Sequence, residues 1–437
     1  MANDYAPHYA GAYVPPRAVE QNLFPALAFL ALLFLVFVGL SPFSPPPLVP
    51  LAAATVSHGD AVRQIGYLGV AGLIGIAAIQ RFGIGALRAV PVSMSLLLGW
   101  CLASAWWAPQ PDLVLRRAGL EVVLVLSVAL SVETLGTTRA FLLWRWFLAA
   151  VLLVNFLSIP LVAVARHGVG EIDPGLIGNW RGLYGHKNIA GAACALTAIL
   201  FLFTQNGWRN WIGIAIAAAA CFFLAMTHSR SSAGFLSLAL LAGLLYRVSW
   251  RDGLSRAIFV AAGTVAVLML AALALLNAGE IARLLDDPNE FTGRAAIWTA
   301  QWRYIANHPF LGAGFGTLTE TYNLSPLRNY VTSAWVASVS HGHNGYLEIL
   351  VTIGGVGFLL AMLALLVAPA RRLWTLDLQD DGFRPMLFSL FVFALLHNLM
   401  ESDFLEGDSI VWGALLLVIA ALNVRRPSLT ARLRAFS

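Results

Sequence analysis

The sequence predicts an all-α polytopic membrane protein of about 12 transmembrane helices, with one long loop between the ninth and tenth. Three observations carry this. Apolar residues make up 59% of the 437 and charged residues only 11%, where a soluble domain carries about 25% charged residues. Mean hydropathy is +0.76. The apolar residues are also blocked into runs: 23–40 contains no charged side chain, whereas an amphipathic core helix shows a polar stripe at every turn.

Spans are expected near 23–40, 65–79, 89–107, 118–132, 141–165, 189–203, 211–226, 233–246, 257–276, 346–367, 386–399 and 410–422. The chain divides into a tail over 1–22, spans one to nine over 23–276, the long loop over 277–344, spans ten to twelve over 345–424, and a second tail over 425–437. The run at 23–40 is too long and too poorly flanked by basic residues for a cleaved signal peptide, so it reads as the first span. The formal charge of +5 is scattered between apolar runs, which excludes a nucleic-acid patch. Cys101, Cys194 and Cys221 all sit in apolar runs and read as small core residues rather than a disulfide or zinc framework.

With the N-terminus in the cytoplasm, alternate loops and the second tail hold Arg81, Arg88, Arg139, Arg209, Arg247, Arg251, Arg256, Arg371, Arg372, Arg384, Arg425, Arg426, Arg432 and Arg434. That distribution satisfies the positive-inside rule. The opposite face also carries cations: Arg116, Arg117, Arg166, Arg181, Lys187, Arg230, Arg283, Arg294, Arg303 and Arg328. Positive-inside bias disfavours them there, so this outer, periplasmic face is expected to be the working one. Long loops in compact folds tend to be functional, and the long loop lies on the same face.

Four clusters on that face carry possible chemistry. One is Arg181-Gly-Leu-Tyr-Gly-His186-Lys187-Asn188, before the sixth span. The second is the Thr227-His228-Ser229-Arg230-Ser231-Ser232 turn. The third, Thr292-Gly293-Arg294, opens an amphipathic helix with Trp298, Trp302 and Ile305 at i, i+4, i+7, stopped by His308-Pro309. The fourth is His341-Gly342-His343-Asn344, followed by Gly354 and Gly357. Arginines from separate loops suit a diphosphate, because the guanidinium fork stays charged and binds phosphate bidentately. A nearby histidine suits general-base work on an acceptor hydroxyl, and loop aromatics such as Tyr304, Tyr322, Tyr330 and Trp335 offer faces for sugar rings. The plainer readings stand beside these. Arginines at helix ends anchor at the interface, a Trp stripe packs at the membrane surface, an HxH pair without a third ligand makes no zinc site, and glycines in a span permit close packing. His397 and Glu401, four apart, read as a satisfied polar pair on one helical face.

At these residues the sequence resembles the bacterial O-antigen ligase and polymerase superfamily. His343-Asn344, then nine intervening residues, then Gly354 and Gly357, together with Ser229-Arg230, and Gly293-Arg294 through Trp298, His308-Pro309 and Gly312-Ala313-Gly314-Phe315-Gly316, are similar to that family's motifs. Gly185-His186-Lys187-Asn188 and Asn398-Leu399-Met400-Glu401-Ser402 resemble segments of its exopolysaccharide polymerase branch. The resemblance implies an inverting glycosyl transfer, independent of metal or other cofactor, from a glycan on undecaprenyl diphosphate. It implies Arg230 and Arg294 on the diphosphate and His343 on the acceptor hydroxyl. Arg181, His186, Lys187, Asn188, Asn344 and Glu401 are added as substrate-binding candidates. Expected partners are the undecaprenyl-diphosphate-linked oligosaccharide, a glycan or lipid-linked acceptor, membrane lipids and other polysaccharide-assembly proteins, in the bacterial inner membrane and without nucleic acid. The rivals are a ligase, which shares the donor chemistry, and a flippase, which would need polar residues along a through-cavity.

Overall fold

The computed structural model describes residues 23–44, 61–169, 171, 174–203, 211–250, 252–277, 279–280, 283, 294–318, 325–330, 342–375 and 382–424. Arg209, Arg251, Thr292, Gly293, Tyr322, Trp335, His341 and both expected tails lie outside the described residues.

Helices run in chain order as α1 Leu23–Phe37, α2 Ala61–Phe82, α3 Val92–Ala103, α4 Pro111–Leu135, α5 Thr137–Leu161, α6 Lys187–Leu202, α7 Trp211–Thr227, α8 Arg230–Ser249 and α9 Gly253–Leu276. They continue as α10 Arg294–Asn307, α11 Gly345–Ala361, α12 Ala368–Thr375 (joined to α11 by a π-helical stretch at Met362–Val367), α13 Phe383–His397 and α14 Ile410–Asn423. Among the described residues five helical stretches are long and apolar enough to cross a membrane, and seven shorter apolar helices accompany them. The chain is an all-α membrane protein. Its outward-facing apolar side chains, such as Leu241, Leu244, Leu245 and Leu268, are exposed, as lipid-facing positions must be when the bilayer is the solvent.

α6 and α14 form the centre. Every residue from Ala190 to Phe201 and from Ile410 to Leu422 is buried, which is possible only because both helices are apolar on all sides. Side chains close the helix starts: Asp252 accepts from Ser255 N at α9, and Ser409 accepts from Val411 N and Trp412 N at α14. These bonds satisfy backbone donors that have no partner inside the helix.

Successive spans alternate direction, so their connections gather at two ends. At one end Arg81 Nη1 donates to Thr134 O, and Tyr246 OH donates to Leu373 O at 2.7 Å. At the other, Phe43 N donates to Leu183 O at 2.9 Å, Trp180 N to Met226 O at 3.1 Å, and Gly345 N to Asn398 O at 2.9 Å. This second end holds the site.

α11 is broken inside its span. Gly354 has φ 67° and ψ −174°, a conformation that L side chains rarely adopt. The segment 309–316 lies in the break. Ala313 N donates to Val351 O at 2.9 Å and Gly314 N to Thr352 O at 2.8 Å, while Gly355 N donates to Pro309 O at 2.8 Å. A Cβ on Gly312 would sit 2.6 Å from Gly354 N. Of the two glycines expected to serve helix packing, Gly354 therefore admits a loop instead, whose backbone satisfies groups the broken helix frees.

The amphipathic helix within the long loop starts at Arg294 and ends before His308-Pro309, as the sequence predicts. Its buried face departs from the expected stripe: Trp298 and Ile305 are buried, but Trp302 is 54% exposed and Gln301 takes the inward position. The helix turns Trp298, Gln301 and Ile305, at i, i+3, i+7, toward the core, and leaves Trp302 at the edge.

Candidate functional site

The site is assembled by the short segment between α13 and α14. α13 ends at His397, and Asn398 ties the return together: its side-chain oxygen accepts from Asp403 N and Phe404 N, both at 2.9 Å. This presents Glu401 to three neighbours. Its Oε1 accepts from Asn188 Nδ2 at 2.8 Å and from Arg294 Nη2 at 2.9 Å, and its Oε2 lies 3.2 Å from His343 Nδ1. Burial pushes the Glu401 carboxyl up, but the His343 hydrogen bond and the Arg294 charge outweigh it and hold the group well below the usual carboxylate range. One carboxylate thus joins three of the four sequence clusters.

His343 sits at φ 51°, in the left-handed region, immediately before the α11 N-cap. Asn344 is that cap: its side-chain oxygen accepts from Tyr346 N and Leu347 N at 3.1 Å, while its Nδ2 donates to Leu399 O at 3.2 Å. Asn344 was expected to bind substrate. Both ends of its side chain are instead committed to backbone, where they fix the turn that carries His343.

Arg181 is also corrected. It is 1% exposed, and its guanidinium donates to Val164 O at 2.6 Å, Gly185 O at 2.8 Å and Ser44 O at 2.9 Å. It clamps three loops and is not positioned to bind substrate. His186 is the N-cap of α6, accepting from Asn188 N at 3.2 Å; burial and the neighbouring His167 push its imidazole down to about 4. Lys187 follows as the first residue of α6, its N–H 3.2 Å from His167 Nε2. From this cluster, Asn188 reaches Glu401.

Arg294, at the start of α10, donates through Nη1 to Met400 O as well as to Glu401. Arg230 opens α8 and is exposed, outside the cavity wall. Its turn is nevertheless tied to the site: Ser229 Oγ donates to Ser232 Oγ at 3.0 Å, and Ser232 Oγ lies 3.3 Å from His397 Nε2. His397 Nδ1 in turn lies 2.6 Å from Asp403 Oδ2. The expected His397–Glu401 pair is therefore not formed. The helix ends between the two, and each finds a different partner.

A cavity of about 540 Å³ opens here. Asn188, His343, Glu401 and His397 line one side, and Arg116, Arg117 and Arg63 contribute the cationic part of the wall. Arg117 also donates to Gly316 O, which links the GAGFG segment to the cavity. Sequence reasoning found no sign of Arg63 or Asp403, and marked Asn398 only as part of a motif. Arg63 pairs with Asp408, far along the chain, whereas Asp403 pairs with His397 only six residues back, across a helix end that spacing alone does not reveal. Among the described residues, no group of three His, Cys, Asp or Glu side chains is arranged to hold a metal ion.

No curated protein matches the chain. A family match covers α8, α10 and the break in α11, with Arg230, Arg294 and His343 inside it and Asn188 and Glu401 outside. Residues 215–362, about a third of the sequence, match the family model described as O-antigen ligase, and this match supports the chain's place in the O-antigen ligase and polymerase superfamily.

Proposed function

We propose that the chain is a membrane-embedded, inverting and metal-independent glycosyltransferase that acts on an undecaprenyl-diphosphate-linked glycan at the periplasmic face of the bacterial inner membrane. In this reading the chain crosses the membrane twelve times, by the five long and seven shorter apolar helices, with both termini in the cytoplasm. The observation that carries it is the Glu401 carboxylate, which lies with His343 and Asn188 in the cavity wall and joins both of them to Arg294.

That arrangement suits the reaction. With Nδ1 of His343 held as a donor by Glu401, Nε2 is the nitrogen that can take a proton. The acceptor hydroxyl oxygen attacks the anomeric carbon from the face opposite the diphosphate and gives its proton to Nε2. The bond from the anomeric carbon to the phosphate oxygen breaks, and the diphosphate leaves with the electron pair, its added charge met by Arg294 and Arg230. Arg294 has five N–H donors and keeps some for phosphate while bonded to Glu401 and Met400.

Between polymerase and ligase we favour a repeat-unit polymerase of the exopolysaccharide or O-antigen type. A polymerase handles two lipid diphosphates, and the cavity wall contains Arg63, Arg116 and Arg117 besides the Glu401 side. These replace Arg181 and Lys187 as the second basic group. The ligase is the second reading, and the description of the matching family favours it. In a deletion strain, loss of a polymerase leaves single repeat units and no long polymer. Full-length polymer stranded on undecaprenyl diphosphate would instead make the chain a ligase.

A further inference from the structure

The first turn of α11 sets another carboxylate close to His343. Glu348 lies in that turn, and it lines the same cavity as His343. Its Oε2 accepts from Gly342 N at 3.0 Å, which ties it to the residue next to His343. Gly342 is itself held: Trp298 Nε1 donates to Gly342 O at 3.1 Å, and a Cβ on Gly342 would collide with the Gln301 amide. One oxygen of Glu348 is thereby fixed, and with it the direction of the other.

That other oxygen, Oε1, accepts no hydrogen bond among the described residues, and Glu348 makes no ion pair among them. Glu401 differs, because Arg294 and His343 match its charge. Thr352, one turn further along the same wall, has its hydroxyl committed to Glu348 O at 2.7 Å. Glu348 therefore supplies the open charge of this face of α11. An open carboxylate oxygen in a cavity wall takes hydrogen-bond donors from the molecule that fills the cavity, since leaving it dry and unpaired is costly. The same charge repels a phosphate or a second carboxylate placed beside it.

We propose that Glu348 selects the acceptor. Its open oxygen accepts from a hydroxyl of the acceptor sugar beside the one whose proton His343 takes, and its charge excludes a sugar that carries a carboxylate or phosphate at that end. The inference rests on the proposed function for the part played by His343. A sugar ring presents neighbouring hydroxyls along one edge. A group tied through Gly342 to His343 can hold one of them while the next reacts. The bonded hydroxyl does not itself react, so Glu348 grips ground state and transition state alike and acts on KM rather than kcat.

The test uses the purified full chain in proteoliposomes, with lipid-linked repeat units isolated from a deletion strain as substrate and farnesyl diphosphate as inhibitor. Glu348→Gln keeps an acceptor for Gly342 N and loses the charge. It should raise KM about tenfold and leave kcat within about twofold, with inhibition by farnesyl diphosphate and Tm unchanged. An unchanged KM would overturn the proposal. So would a fall in kcat at unchanged KM, which would make Glu348 a support for His343 alone. Tighter inhibition by farnesyl diphosphate would place the carboxylate on the phosphate side and overturn it as well. The repeat units give a second measurement that needs no variant: the sugar at their non-reducing end should carry neither carboxylate nor phosphate, and an acidic sugar there would overturn the proposal whatever the kinetics. Absence of transfer by wild type would overturn the proposed function and this inference with it, whereas an unchanged KM in Glu348→Gln beside active wild type overturns this inference alone.

Discussion

Glu401 Oε2 lies 3.2 Å from His343 Nδ1, and the opposite oxygen of the same carboxylate takes Arg294 and Asn188. These residues are distant in sequence, and the carboxylate fixes how the imidazole and the guanidinium stand relative to each other. Glu401, expected to bind substrate, lies where it holds His343 in place. Glu401→Gln should keep the Asn188 contact, lose the charge, and lower kcat about 100-fold with little change in KM. Turnover of a lipid-linked substrate in membranes measures this, and an unchanged kcat would remove Glu401 from the mechanism.

Arg230 and Arg294 should each fail as lysine as well as alanine, because one ammonium cannot reproduce a bidentate fork on phosphate. Polymer length on gels, beside immunoblots for expression, reads the outcome. Full-length polymer from Arg230→Lys would show that Arg230 does not grip the diphosphate.

Arg181 is expected to act on stability alone. Arg181→Leu removes a buried guanidinium and its donors to three part-buried carbonyls and should cost about 3 kcal/mol, seen as a lower Tm in detergent. The KM of the protein that remains folded should not change; a raised KM at unchanged Tm would restore the binding role.

The depressed imidazole of His186 gives stability a pH dependence. Its value falls from 6.5 to about 4 in the folded protein, so between those values the unfolded chain binds a proton that the folded chain refuses. Stability is unaffected by this group above about pH 6.5 and declines as pH falls toward 4. His186→Asn keeps a capping acceptor without the titration. The Tm difference between wild type and variant should move in the variant's favour across that window, and parallel curves would count against it.

The side of the membrane is testable with a cysteine-free background. Pro326→Cys should react with an impermeant maleimide in intact spheroplasts, and Thr375→Cys, at the opposite end of the bundle, should react only after lysis. The reverse pattern would put the cavity in the cytoplasm and end the lipid-diphosphate reading.

Most of the helices were legible because the bilayer imposes a simple composition on anything that crosses it. The stop signal also worked locally: His308-Pro309 ended α10. Pairings across the chain were not legible. His397 and Glu401 looked like helical neighbours, but the chain leaves the helix between them, and Asp403, six residues on from His397, takes the histidine. Arg181 resembled the other outer-face arginines, and only burial separates a clamp from a ligand grip. Gly354 read as a packing glycine, since a break in a span has the same local sequence as a close crossing.

The break at Gly354 has a consequence for how this protein opens. In an unbroken span each amide is protected by a carbonyl of its own helix. Here Gly355 N is held by Pro309 O and Val356 N by Phe310 O, while Ala313 N and Gly314 N are held by Val351 O and Thr352 O. Neither stretch can release its amides to deuterium unless the other moves away. The segment 309–316 and the middle of α11 therefore exchange as one cooperative unit, and loosening a loop outside the span would register as lost protection inside it.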